Sequence, residues 1–231
     1  MENAATSQQK LIIPSHRKDA GKILIKGRAA QEESEDLTAV LRRFFKRQAS
    51  SVLPKLGAKA EEWWDADRWN QELADDLEPL VDRIADAHGM DAADVLGTEY
   101  GRELTRKYLR ALTQGRAKAI NASTLRKLLD ALEDEENSDA VTFGQSLATV
   151  VSSWAVREAV QQARNEGFMK AVEKEWETGP NARPSHVAMN GERVPIDERF
   201  SNGAYWPGDD NLSADESCGC NCATNVIITE V

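Results

Sequence analysis

The chain reads as an α+β protein, with a predominantly α-helical body followed by a small C-terminal module of β-hairpin and loops. Three observations predict this. Apolar residues recur at helical spacing through most of the first 176 positions; the composition then shifts abruptly to Gly, Pro, Asn and Asp; and Asn190-Gly191 separates two short strand-like runs. The expected organisation is a basic flexible arm over 1–33, a helical body over 34–137, and a third region over 138–231 in which a long helix leads into the β and loop module.

The arm differs in charge from everything after it. Residues 10–28 carry six Lys or Arg against the single Asp19, within a chain whose formal net charge is −10. Such an overall charge argues against a surface that binds nucleic acid throughout, because neutralising phosphate requires Lys and Arg. The basic segment instead offers Arg17, Lys18, Lys22 and Lys26 as candidate partner-binding residues. Its apolar insertions, Leu11-Ile12-Ile13 and Ile23-Leu24-Ile25, are unneeded in a solvated tail. They predict ordering against a partner by strand addition or a short amphipathic contact.

The helices follow in order. Ser34 is the expected cap of the first, whose stripe is Leu37, Val40, Leu41, Phe44, Phe45, Val52 and Leu53 before Pro54. A second runs from Asp67 with Trp69, Leu73, Leu77, Leu80, Val81 and Ile84 on one face, is interrupted near Pro79, and is expected to end at His88-Gly89. A third carries Leu96, Tyr100, Leu104, Tyr108 and Leu112, and a fourth starts near Asn121 or Ser123 and buries Leu125, Leu128, Leu129 and Leu132. The acidic stretch at 133–137 closes it as a solvated connection. The fifth places Phe143, Leu147, Val150, Val151 and Trp154 on one stripe and is expected to continue past Gly167 to Trp176.

These stripes, and the cluster Trp63, Trp64 and Trp69, are read as helix packing. No glycine-rich phosphate loop, Gly-x-Ser-x-Gly or His-Glu-x-x-His sequence accompanies them, so no catalytic turnover is expected. No apolar run approaches the ~20 residues that span a bilayer, and the polar start of the chain is unlike a signal peptide. A reducing cytosolic origin, with no membrane partner, is the expectation.

In the C-terminal module, Asn190-Gly191 suits a type I′ turn, which would pair 186–189 with 192–195 as a hairpin; the run from Asn225 to Thr229 would add a strand. All three cysteines of the chain, Cys218, Cys220 and Cys222, lie here. Neighbouring alternating cysteines close only a small strained disulfide ring, which favours free thiols or thiolate ligands. Alternate residues of a strand face opposite ways, so two of these thiols converge only if the backbone turns, as Gly219 and Asn221 permit. His186 is the one histidine of the module. His186, Cys218, Cys220 and Cys222 are therefore the candidate ligands of a structural zinc, which would staple loops too poor in apolar residues to hold themselves. Packed free thiols are the other reading.

An ordered set of residues here resembles a known family. Trp176 and Thr178 lead into Arg183-Pro184-Ser185-His186, then Val187-Ala188-Met189-Asn190-Gly191, Pro195, Asp197, Phe200, Pro207-Gly208-Asp209, and the segment from Glu216 to Cys222. That order resembles the phage head morphogenesis domain of Mu F-like minor head proteins, from about Phe143 to the C-terminus. Asn181, Gly219 and Asn221 depart from the family pattern, and Cys218 is an additional thiol. The resemblance implies a minor capsid protein of a tailed phage. Such a protein would sit inside the head near the portal, with portal, head and scaffold proteins as partners, and would assist assembly and DNA packaging or delivery. The implied location is the virion interior, and the host cytoplasm during assembly. The basic arm would then contact packaged DNA weakly.

Two other function classes stay open at this point. His186 with Asp197, Asp209 and Asp210 would suit Mg²⁺ or Mn²⁺ in phosphodiester cleavage. A zinc-stapled adaptor unrelated to phage would instead need metal only to fold.

Overall fold

The computed structural model describes residues 17–19, 22–55, 64–130, 138–168 and 170–229. Leu11, Ile12, Ile13, Trp63 and the acidic stretch at 133–137 lie outside the described residues.

Helix α1 (Gln31–Val52) starts before the expected cap at Ser34. The Ala30 N–H donates to Glu33 Oε2 at 2.7 Å, so a carboxylate three residues on satisfies an end donor and sets the start. Leu37, Leu41, Phe44 and Val52 form its buried stripe, and a 3₁₀ turn at Leu53–Lys55 takes up Pro54.

Helix α2 (Ala66–Leu96) is capped by Asp65, which accepts from Arg68 N, and it runs through both expected interruptions. Pro79 removes one backbone hydrogen bond, but Trp69, Leu73, Leu77, Val81 and Ile84 are buried on one face on both sides of it. Gly89 lies inside the helix because the Tyr100 ring occupies the space of a side chain; a Cβ there would come within 2.2 Å of the ring. His88 therefore sits in mid-helix, with Nε2 3.1 Å from Glu33 Oε2 of α1. The terminator is Gly97, at φ 72°, whose left-handed conformation only glycine adopts without strain.

Helix α3 (Arg102–Asp130) is continuous where two helices were expected. Asn121 does not cap it. Buried in mid-helix, Asn121 accepts from Gln48 Nε2 of α1 and donates to Asn70 of α2, each at 3.0 Å. Helix α4 (Ser138–Asn165) packs against α1 and α2, and its Leu147, Val150, Val151 and Trp154 complete the helical core. Among the described residues no helix is long and apolar enough to cross a membrane.

The chain does not continue as helix to Trp176. Gly167 turns at φ 98°, Phe168 N–H bonds back to Ala163 O, and a strand follows. Strand β3 (Ala171–Glu177) buries Val172, Lys174 and Trp176 and leaves the residues between them part-exposed, a period of two that a helix cannot give. Five strands, β1 (Arg17–Asp19), β2 (Lys22–Lys26), β3, β4 (Arg193–Pro195) and β5 (Ala223–Thr229), form an antiparallel sheet in the order β1-β2-β5-β3-β4. The expected terminal strand at 225–229 is its centre.

Two expectations change here. Part of the arm assigned to 1–33 is built into the sheet: Ile23 pairs with Ile228 and Ile25 with Val226, and both isoleucines are buried. Strand addition takes place, but onto this chain's own β5. The expected 186–195 hairpin is not formed either, because β4 pairs with β3, as Lys174 with Val194, while His186 and Val187 belong to a short helix, α5 (Pro184–Val187). Asn190 uses its side chain, accepting from Thr178 N at 2.9 Å.

One sheet face, with Ile23, Ile25, Val172, Val226 and Ile228, packs on Val156, Ala159, Val160 and Ala163 of α4 and on Ala92 and Leu96 of α2. Helix α4 thus serves the helical core with its first half and the sheet with its second. A third apolar cluster, of Trp176, Met189, Phe200, Ala204, Cys220 and Cys222, fastens the loops beyond β3.

Candidate metal centre

His186, Cys220 and Cys222 meet in that third cluster. Nδ1 of His186 lies 3.6 Å from Cys220 Sγ and 3.5 Å from Cys222 Sγ, and all three side chains are buried. Tetrahedral zinc with its ordinary Zn–S and Zn–N bond lengths would set sulfur and nitrogen about 3.6 Å apart. The three donor atoms, all within 4.8 Å of one another, can hold a metal ion.

The surrounding chain explains the convergence. Short helix α5 presents His186, whose carbonyl accepts from Thr178 Oγ1 at 2.9 Å and whose ring stands edge-on to Trp176 at 5.2 Å. The second short helix, α6 (Ala214–Ser217), ends in a turn, and Cys220 N bonds to Ser217 O at 3.2 Å, so both thiols precede the regular strand β5. Gly179 passes so close to Asn221 that a Cβ would fall 2.2 Å from the Asn221 carbonyl oxygen. Arg28 closes this seam from the β2 side, donating to Asn221 O at 2.8 Å and to Glu177 Oε1 at 3.0 Å.

The two thiols differ electrostatically. Hydrogen bonding from Cys220, opposed by burial and aided by His186 and the Gly179 backbone, holds Cys222 well below the usual thiol range. The same thiol contact, together with burial, pushes Cys220 up. The direction of the Cys222 shift favours the thiolate, the form in which a cysteine binds metal. On the opposite ring atom, His186 Nε2 lies 2.9 Å from Glu216 Oε2, though out of line for a hydrogen bond, and Glu216 also accepts from Ser185 Oγ at 3.1 Å.

Of the four proposed zinc ligands the structure brings together three. Cys218 is exposed and outside the group. Its backbone is fixed by Arg183, which donates to Cys218 O at 2.6 Å and to Asp215 O. The carboxylates of the phosphodiesterase reading are each bound elsewhere. Asp197 accepts from Gln161 and Arg164 of α4, and although burial opposes it, these contacts hold the carboxyl below its usual range. Asp209 caps its own turn through Tyr205 N and Asn211 N, and Asp210 pairs with Arg116 at 2.7 Å. Of the arm residues, Arg17 and Lys18 lie in β1, Lys22 in β2, and Lys26 is an exposed residue of β2.

Two features beside the centre have no sequence signature. A cleft of about 790 Å³ lies between the start of α1, α4 and the 177–180 segment, with Cys222, Asn221, Thr178, Gln145 and Arg42 among its walls. On the neighbouring strand position Lys174 is fully buried, with Nζ donating to Tyr205 O at 3.0 Å between the rings of Phe200 and Tyr205. Burial and the charge of Arg157 lower its pKa to about 8.

No protein-family model, characterised protein or solved structure matches this chain.

Proposed function

We propose that this chain is a non-catalytic minor capsid protein of a tailed phage, of the head morphogenesis kind, whose C-terminal module is held by a structural zinc on His186, Cys220 and Cys222. The carrying observation is how the residues behind the resemblance are used. Trp176, His186, Phe200, Cys220 and Cys222 converge on one buried cluster, Arg183 ties two backbone carbonyls, and Asp209 caps its own turn. These are fastening roles, which suit a scaffold more than a reaction centre. His186 and Asp197 would have to share a site for phosphodiester cleavage, and Asp197 is engaged with α4 instead.

On this reading the protein acts inside the head near the portal, with portal, head or scaffold proteins as partners. Arg17, Lys18, Lys22 and Lys26 would add a weak contact with packaged DNA. The test is peptide quantification in purified heads of the phage that encodes the chain. It should appear there in few copies and co-purify with the portal. Its absence from the heads, or DNA cleavage with Mg²⁺ or Mn²⁺ that His186→Ala or Asp197→Asn abolishes, would contradict the proposal.

A further inference from the structure

We infer that the His186, Cys220 and Cys222 centre keeps its fourth coordination position for a low-molecular-mass thiol entering by the cleft beside Cys222; this rests on the zinc reading above. A closed structural zinc site takes four protein donors. Three converge here, and among the described residues no other His, Cys, Asp or Glu donor joins them.

The two nearest alternatives are held away. Cys218 is exposed, and the backbone on either side of its side chain is tied down: its N–H donates to Ala214 O at 2.9 Å, and its carbonyl accepts from Arg183 at 2.6 Å. Glu216 sits at Nε2, the ring nitrogen opposite the ligand atom Nδ1.

The chemistry of the donors sets the class of ligand. Two thiolates and an imidazole make a soft centre, for which sulfur is the matched fourth donor. Two thiolates also cancel the charge of a divalent metal, so an anionic fourth ligand needs a cation close by. The cleft that Cys222 lines also carries Arg42, in no ion pair among the described residues, together with Glu35 and the Arg28–Glu177 pair. Thr178, Asn221 and Gln145 offer hydrogen bonds along its walls, and about 790 Å³ is ample for a small thiol.

The experiment uses the full chain loaded with Co²⁺ and titrated with 2-mercaptoethanol, following sulfur-to-cobalt charge-transfer absorption. With cobalt retained, the absorption per cobalt should rise saturably by about 1.5-fold, from two thiolates to three. Cys218→Ser should behave identically. Gln145→Trp, which fills the cleft, should weaken thiol binding about tenfold while leaving cobalt affinity unchanged. An unchanged spectrum on adding thiol overturns the inference but leaves the metal site intact. So does a three-thiolate starting spectrum that Cys218→Ser reduces to two. Failure to bind cobalt at all overturns the zinc reading with it.

Discussion

Glu216 Oε2 lies 2.9 Å from Nε2 of His186, and a carboxylate beside that ring atom would support the tautomer that presents Nδ1 to a metal ion. Glu216→Gln should accordingly weaken zinc binding by about 10- to 100-fold in a competition titration, without loss of helical circular dichroism. Equal affinities would remove Glu216 from any role at the centre. Lys174 gives a second residue-scale expectation. Its folded pKa of about 8 lies below the ordinary lysine value, so between pH 8 and 10 the unfolded chain binds more protons than the folded one, and stability should rise with pH. The rise amounts to at most about 3 kcal/mol. Thiols and tyrosines titrate in the same range, so the quantity to measure is the difference in unfolding free energy between wild type and Lys174→Met. The wild-type value minus the Lys174→Met value should increase as pH rises from 8 to 10, and a flat difference would show that Lys174 is not depressed. Sequence singled out His186, Cys220 and Cys222 as candidates because few other side chains bind soft metals, and the fold brings their donor atoms together. Sequence could not exclude Cys218 or assign a role to Glu216, since both outcomes depend on where Arg183 and two short helices place the backbone.

Among the elements, β2 is the one whose role changes most between sequence and structure. Its apolar run Ile23-Leu24-Ile25 was visible, but nothing local specified that the partner would be β5, roughly 200 residues away in this chain. Ile25 is buried between sheet and α4, so Ile25→Ala should cost about 2–5 kcal/mol in chemical denaturation. Hydrogen exchange should then quicken first in β2 and β5. A cost below about 0.5 kcal/mol would mean that β2 is not docked in solution. The helices were legible as amphipathic stripes, whereas their ends were not. Gly89 resembles a terminator locally, yet Tyr100, eleven residues on, fills the space beside it; Asn121 resembles a cap, yet it bridges Gln48 and Asn70. In both cases tertiary packing overrode a local signal.

For the whole molecule, the composition change after Trp176 marks the end of β3 and not the end of α4, and it does not mark where one core stops and another begins. Helix α4 belongs to both, so the sheet and the helical body should unfold together. The loops beyond β3 have a smaller cluster that includes the two thiols themselves, and this is where a metal ion has most to add. The most direct measurement is thermal unfolding of the full chain under reducing conditions, with zinc and with excess chelator, in wild type and Cys222→Ser. A ligand that binds only the folded state at a thousand times its dissociation constant stabilises by about 4 kcal/mol, or roughly 8 °C or more for a chain of this size. Zinc should raise the wild-type midpoint by that order and leave Cys222→Ser where chelator leaves the wild type. Superimposable wild-type curves with zinc and with chelator would contradict a metal-stapled module.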